Sequence, residues 1–338
     1  MESIEHPSLL RFRGTILGAA AADALAFPYQ HYSRDFLRSI ASPLGFEYAL
    51  HHSGFHPRGQ YSSGTQEMLA VTESIVEAGK VCGASIASHL IPLWRDSLLI
   101  ERDPSSEEAM GGLLSGRVTW ESSGLEYGSG AAATRRVVPI AIWEHGDLER
   151  VCEGARISTS ITHRDPRVIS MAAAVAAAIH SNLLAEELIL GPFLDAVSAA
   201  AGRFEPGIGE AVLDFPRVLS LSEYRALKHF DSLLADDHHP PSMDGLGVYC
   251  IPATFAALYY FLKFPYRYEH TVESCLRLGG QMGTTCLLAG AISGSLVGEI
   301  GIPAKLTDEL FNVQEIAMRA DELHGAWQAR KETETETV

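Results

Sequence analysis

Apolar positions along this chain recur at helical rather than strand spacing. Residues 65–79 place Met68, Leu69, Thr72, Ile75 and Val76 near one face, the three- and four-residue rhythm of a helix packed on one side. Residues 166–183 open with Pro166, which suits a first helical turn, and continue as an Ala-rich run of high helix propensity. Segments 190–201, 252–263, 271–278 and 284–298 read the same way. Period-two alternation is scarce, so the pattern predicts an all-α domain of roughly a dozen helices joined by Gly/Pro/Ser loops. Two of those loops are long: 28–64, with Pro28, Pro43 and Pro57, and 102–130, with Pro104 and many Gly and Ser. Long loops in compact domains are often functional. No linker divides the chain, so 1–330 is expected to form one domain. The tail 331–338, KETETETV, is charged and repetitive and is expected to be disordered. Apolar stretches 168–180 and 285–298 fall short of the roughly 20 residues of a membrane span and are rich in small residues, which predicts buried helices and no membrane partner.

Charge narrows the partners. Asp and Glu number 42 against 26 Lys and Arg, a net charge of −16. Such a surface repels phosphate backbones and argues against nucleic acid, while leaving room for a small anionic ligand in a local pocket. The cysteines, Cys82, Cys152, Cys250, Cys275 and Cys286, are scattered and form no CxxC pair. They point to reduced, buried thiols in a cytoplasmic protein rather than to a disulfide framework or a zinc site. The N-terminus lacks the basic-then-apolar order of a signal peptide.

Candidate chemistry sits in five separated segments. The first runs from Gly14 and Gly18 through Ala22-Asp23-Ala24-Leu25-Ala26 to Pro28, with small residues at four-residue spacing that let another helix approach. The second is Gln60-Tyr61-Ser62-Ser63-Gly64-Thr65-Gln66, the third Gly130 to Pro139 (GAAATRRVVP), and the fourth Thr162-His163-Arg164-Asp165-Pro166. The fifth is Gly279-Gly280-Gln281-Met282-Gly283-Thr284, followed by Ala289-Gly290-Ala291-Ile292 and Gly301-Ile302-Pro303. In this order and spacing they resemble the ADP-ribosylglycohydrolase family, whose patterns read GxxxGxxxGDALGxP, YTDDTQ, GNGAxMRxxP, THxDP and GGDTDT. A looser match, Gly245-Leu246-Gly247-Val248-Tyr249, is similar to the family's substrate loop. The resemblance covers about residues 11 to 303 and implies a compact orthogonal helical bundle of the ADP-ribosylglycohydrolase type.

It also implies a magnesium pair held by carboxylates, and here the sequence departs. Ser63 and Gly64 stand where YTDDTQ has its two Asp, and Gln281 and Gly283 stand where GGDTDT has its two. Neighbouring dications repel, so their charge must be offset by anionic oxygens. Ser62, Thr65 and Thr284 keep only neutral hydroxyls. The two halves of the site lie more than two hundred residues apart in sequence and have changed together. No magnesium cofactor is therefore expected. In the family the metals orient ribose hydroxyls and position and polarise water, so ordinary activity should be very low.

Several groups remain as candidates. Glu47, in the loop 28–64, and Asp244, before the glycine loop, are the candidate catalytic acids. Ser62, Ser63, Thr65, Gly245, Gly247, Gly280, Gln281, Gly283 and Thr284 are candidate ligand contacts. Gly279, Gly280 and Gly283 suggest a turn whose backbone N–H groups suit a pyrophosphate, with a plain packing turn as the alternative. Glu67 follows the altered metal motif, Asp23 is expected to support the end of the first helix, and His163 and Asp165 are expected to hold the loop entering the next one. His51, His52 and His56 lack metal spacing. Arg135 and Arg136 suit either a phosphate contact or a salt bridge. Three functions stay open: a metal-independent hydrolase of an N-ribosyl bond in an ADP-ribose- or nucleotide-derived substrate, an inactive protein that binds such a ligand, and a regulatory scaffold.

Overall fold

The computed structural model describes residues 7–40, 47–235 and 245–336. Among them the chain forms seventeen α-helices and three short 3-10 helices, with isolated bridges but no strand. The helices that carry the core and the pocket are α1 (Leu9–Ala26), α2 (Ser63–Ala78), α3 (Pro104–Leu114), α4 (Pro166–Leu184), α5 (Cys250–Lys263), α6 (Gly283–Val297) and α7 (Val313–Glu336). The helical rhythm at 65–79 becomes α2, and the Ala-rich run becomes α4, with Asp165 as its N-cap accepting the Arg167 N–H at 2.9 Å. Segments 252–263 and 284–298 become α5 and α6. Helix α4 is long and apolar enough to cross a membrane by length and composition, but 83% of its most apolar 18-residue window is buried within the fold.

The centre of the molecule is the contact between α1 and α6. Both are buried on nearly every face, which is why neither shows a one-sided apolar stripe. Their backbones touch. A Cβ added at Gly294 would stand 1.9 Å from the Gly14 carbonyl oxygen, and one at Gly290 would stand 2.2 Å from that of Gly18. The Tyr268 hydroxyl donates to the Gly18 carbonyl at 2.6 Å, and Asn182 Nδ2 on α4 donates to the Ile292 carbonyl at 2.8 Å. Those two side chains add a second donor to carbonyls within the helices and cross-link α1 and α6 to their neighbours.

Two expectations change. Each long loop contains a helix, Arg34–Ser39 in the first and α3 in the second. The tail 331–338 is helical through Glu336 rather than disordered. Its alternating charges fall at helical spacing: Arg330 Nε and Lys331 Nζ both donate to Glu334, at 2.9 and 3.0 Å. Arg330 also lies over the Trp143 ring at 5.1 Å, tying the last turns to the core.

Candidate functional site

A cavity of about 340 Å³ opens where α2, α3 and α6 begin. Of the residues expected to touch a ligand, Ser63, Gly247, Gln281 and Thr284 line it. The others are placed differently, and each for a visible reason.

Asp23 explains two of them. Burial pushes its pKa up, while donors from Ser62 and Thr65 and the Arg135 charge pull it down. Its side chain does not cap its own helix, although its backbone carbonyl accepts the Phe27 N–H there. Its Oδ2 accepts the N–H groups of Ser62 and Thr65 at 3.0 and 3.1 Å and the Thr65 hydroxyl at 2.7 Å. Its Oδ1 accepts the Ser62 hydroxyl at 2.7 Å. The carboxylate thus crosses from α1 to close the N-terminus of α2, where negative charge is favoured. Ser62 and Thr65 spend their hydroxyl protons on Asp23 and lie behind the cavity wall.

The glycine turn is also internal. Gly280 has φ +69° and Gly245 φ +110°, which side-chain-bearing residues rarely adopt. The Gly280 N–H donates to the Tyr32 carbonyl at 2.8 Å, and the Gln281 N–H donates to the Leu246 carbonyl at 2.8 Å. These two N–H groups are not open to a pyrophosphate, so the packing reading of this turn holds. The donors that remain lie a few residues on, where α6 starts without a side-chain cap.

Glu47 is not at the cavity. It is exposed and ion-paired with Lys305, which holds its pKa below the usual carboxylate range. The adjacent Tyr48 donates its hydroxyl to the Leu306 carbonyl at 2.9 Å and anchors this end of the loop to the helix Ala304–Asp308. Asp244 lies outside the described residues. The carboxyls that do face the cavity are Glu101 and Asp103. Glu101 sits at φ +61°, and burial raises its pKa. Gln30 Nε2 donates to it at 3.4 Å, and His31 Nε2 stands 4.0 Å away. Asp103 caps α3, accepting the Ser106 N–H at 2.8 Å. His163 Nε2 lies 3.8 Å behind it. Burial pushes the His163 pKa down to about 4, so the ring is neutral. Sequence reasoning missed both acids. The one signal was Asp103-Pro104, the usual order of N-cap and first helical residue.

The spaces at positions 64 and 283 are taken. A Cβ on Gly64 would meet Arg135 Cδ at 2.9 Å and Leu287 Cδ1 at 2.8 Å; one on Gly283 would meet Gln30 Nε2 at 2.2 Å. Arg135 is 8% exposed. Its Nε donates to the Ala132 carbonyl at 2.9 Å, its Nη1 reaches the Ser63 hydroxyl at 3.4 Å, and its Nη2 stands 3.8 Å from Glu67 Oε2. The donor set therefore does not fit a magnesium pair. The oxygens of Asp23 are committed to α2, Glu67 faces a guanidinium, and a fixed positive charge stands in the floor. Among the described residues no three His, Cys, Asp or Glu side chains gather as a metal site.

Comparison with known proteins adds the ancestry. A family model described as ADP-ribosylglycohydrolase matches residues 5–333. The chain is 27% identical over 320 residues to an uncharacterized protein of Archaeoglobus fulgidus, covering 93% of this chain and 97% of that one. It is 22% identical over 352 residues to the ADP-ribosylhydrolase ARH3 of Gallus gallus, covering 95% of each. A solved structure titled ADP-ribosylglycohydrolase-related protein complex superposes with a TM-score of 0.72 at 17% identity, covering 94% of this chain and 98% of that one.

Proposed function

The chain belongs to the ADP-ribosylglycohydrolase family, and from that premise we propose that it is a metal-independent hydrolase of an N-ribosyl bond in a small ADP-ribose- or nucleotide-derived ligand. The observation that carries this reading is Glu101, a desolvated carboxyl facing the cavity with a raised pKa. A carboxyl whose acid form burial favours can give its proton to the departing nitrogen as the ribosyl C–N bond breaks. Water then adds at the ribosyl carbon and loses its proton, a step Asp103 is placed to assist from the same cavity. Nucleic acid and membranes are not part of this proposal, since the net charge of −16 opposes the first and the apolar helix α4 is consumed by the core. A cytoplasmic location is part of it, in keeping with the five free cysteines.

A panel of NAD-like and ribosyl substrates assayed in EDTA tests the proposal. Turnover should persist without divalent metal. It should fall as pH rises through the elevated Glu101 pKa, because the acid form is the working one. Glu101→Gln should cost about a hundredfold or more. Turnover that appears only on adding magnesium would overturn the reading. One observation favours a second: Glu67 and Asp23, the acids beneath the cavity, are already engaged by Arg135 and by α2. On that reading the protein binds its ligand without cleaving it, and calorimetry would detect ADP-ribose binding with no turnover in any condition.

A further inference from the structure

The floor of the cavity has a cation of its own. Arg135 stands where the family pattern GNGAxMRxxP has Met, and its side chain fills the space beside Gly64, where that pattern's partner YTDDTQ has Asp. The exchange of an acid for a glycine at one position is thus matched by the gain of a guanidinium at another. That guanidinium has few obligations. Its Nε is taken by the Ala132 carbonyl, but the Ser63 contact is long, and 3.8 Å to Glu67 is an ion pair rather than a hydrogen bond. N–H groups on both terminal nitrogens remain unspent, on a side chain that lines the cavity. Helices α2, α3 and α6, of 16, 11 and 15 residues, all start at the same cavity. The carboxylates of Asp23 and Asp103 offset the positive ends of α2 and α3, but the start of α6, beside Thr284, has no side-chain cap and leaves its positive end facing the cavity.

We propose that the Arg135 guanidinium is a built-in cation that replaces the metal pair, and that it receives a phosphate oxygen of the ligand on its free Nη1–Nη2 edge. Its charge faces Glu67 and Asp23 within the protein and an anion in the cavity. A planar fork of N–H donors suits phosphate oxygens in pairs, which a neutral diol matches less well. The cavity therefore selects phosphorylated ribosyl ligands over unphosphorylated ones. This rests on the cavity being a ribosyl-ligand site, but not on any bond being broken there.

Calorimetry in EDTA with inorganic phosphate, ribose, ribose 5-phosphate and ADP-ribose tests it. The wild type should bind the two phosphorylated ribosyl ligands at least about tenfold more tightly than ribose, the gain expected of a charged hydrogen bond. Arg135→Met should remove that preference, and Arg135→Lys should fall between. Should Arg135→Met unfold because Glu67 is left unopposed, Arg135→Gln with Glu67→Gln removes both charges and gives the same readout. A competing phosphate effect on ribose 5-phosphate binding that disappears with Arg135 supports the terminal phosphate as the bound group; competition against ADP-ribose alone supports its pyrophosphate. An unaltered preference in Arg135→Met or in the Arg135→Gln, Glu67→Gln double variant, or none in the wild type, overturns the proposal. Phosphate preference without turnover would sink only the hydrolase reading, and turnover with no preference for phosphorylated over unphosphorylated ribosyl ligands would sink only this one.

Discussion

Gly290 and Gly294 face backbone, whereas Gly64 and Gly283 face side chains. The first pair belongs to the contact between α1 and α6, where carbonyl oxygens of Gly14 and Gly18 occupy the space a Cβ would need. The second pair lies behind the cavity wall, where Arg135 and Gln30, which line the cavity, occupy that space. Backbone has nowhere to go without moving a helix. A side chain can rotate, shorten or be replaced. The difference shows which changes each region can accept. Changing the floor needs only compensating pairs of side chains, such as Gly64 with Arg135; changing the α1–α6 contact needs a new helix packing.

The sharpest way to break this contrast is at the scaffold. Gly294→Ala sets a methyl 1.9 Å from the Gly14 carbonyl oxygen. We expect a loss of at least about 4 kcal/mol in chemical denaturation, at the severe end for overpacking because no flexible atom can yield. No single partner substitution should rescue it. A variant of near-native stability would show that α1 and α6 can separate cheaply and would erase the distinction.

The legibility of the sequence divides along the same line. Small residues at four-residue spacing in the first segment mark a helix that another can approach closely, and α6 does so against α1. Ser63, Gly247, Gln281 and Thr284 were legible as cavity residues because they occupy motif positions that the fold brings together. Glu101, Asp103 and the filling of position 64 by Arg135 were not, since each depends on which loop or turn packs against a distant helix start. Glu47 misled for the same reason: nothing local announces that Tyr48 ties its loop to the Leu306 carbonyl. The tail misled because charge repetition suggests disorder, yet Arg330 and Lys331 meet Glu334 once the helix forms.

At the floor the contrast predicts coupling. Gly64→Ala brings a methyl within 2.9 Å of Arg135 Cδ and 2.8 Å of Leu287 Cδ1. Both are parts of side chains, so the cost should be about 1–2 kcal/mol, smaller than at Gly294. In a double-mutant cycle with Arg135→Met, part of that loss should be regained, a coupling of about 1 kcal/mol as contacting residues commonly show. Strict additivity would mean that Arg135 does not set the size of position 64, and the paired exchange would lose its physical basis.

The smallest effect belongs to a residue that shares neither region. Glu47 is exposed and pairs with Lys305 on the rim formed by the loop and the helix Ala304–Asp308. Surface pairs of this kind are screened by water and salt and contribute little. Glu47→Gln should leave the melting temperature within measurement error and leave both ligand affinity and turnover at wild-type values. Its counterpart Glu101→Gln, on a carboxyl that burial has partly stripped of water, should change the chemistry while barely touching the fold. If Glu47→Gln instead lowered turnover, the loop carrying it would have to reach the cavity when ligand binds, and the anchor from the Tyr48 hydroxyl to the Leu306 carbonyl would have to open first. Tyr48→Phe, which removes that one hydrogen bond, would then change turnover in step with Glu47→Gln; with the anchor merely structural, it should lower stability by about 1 kcal/mol and leave turnover alone.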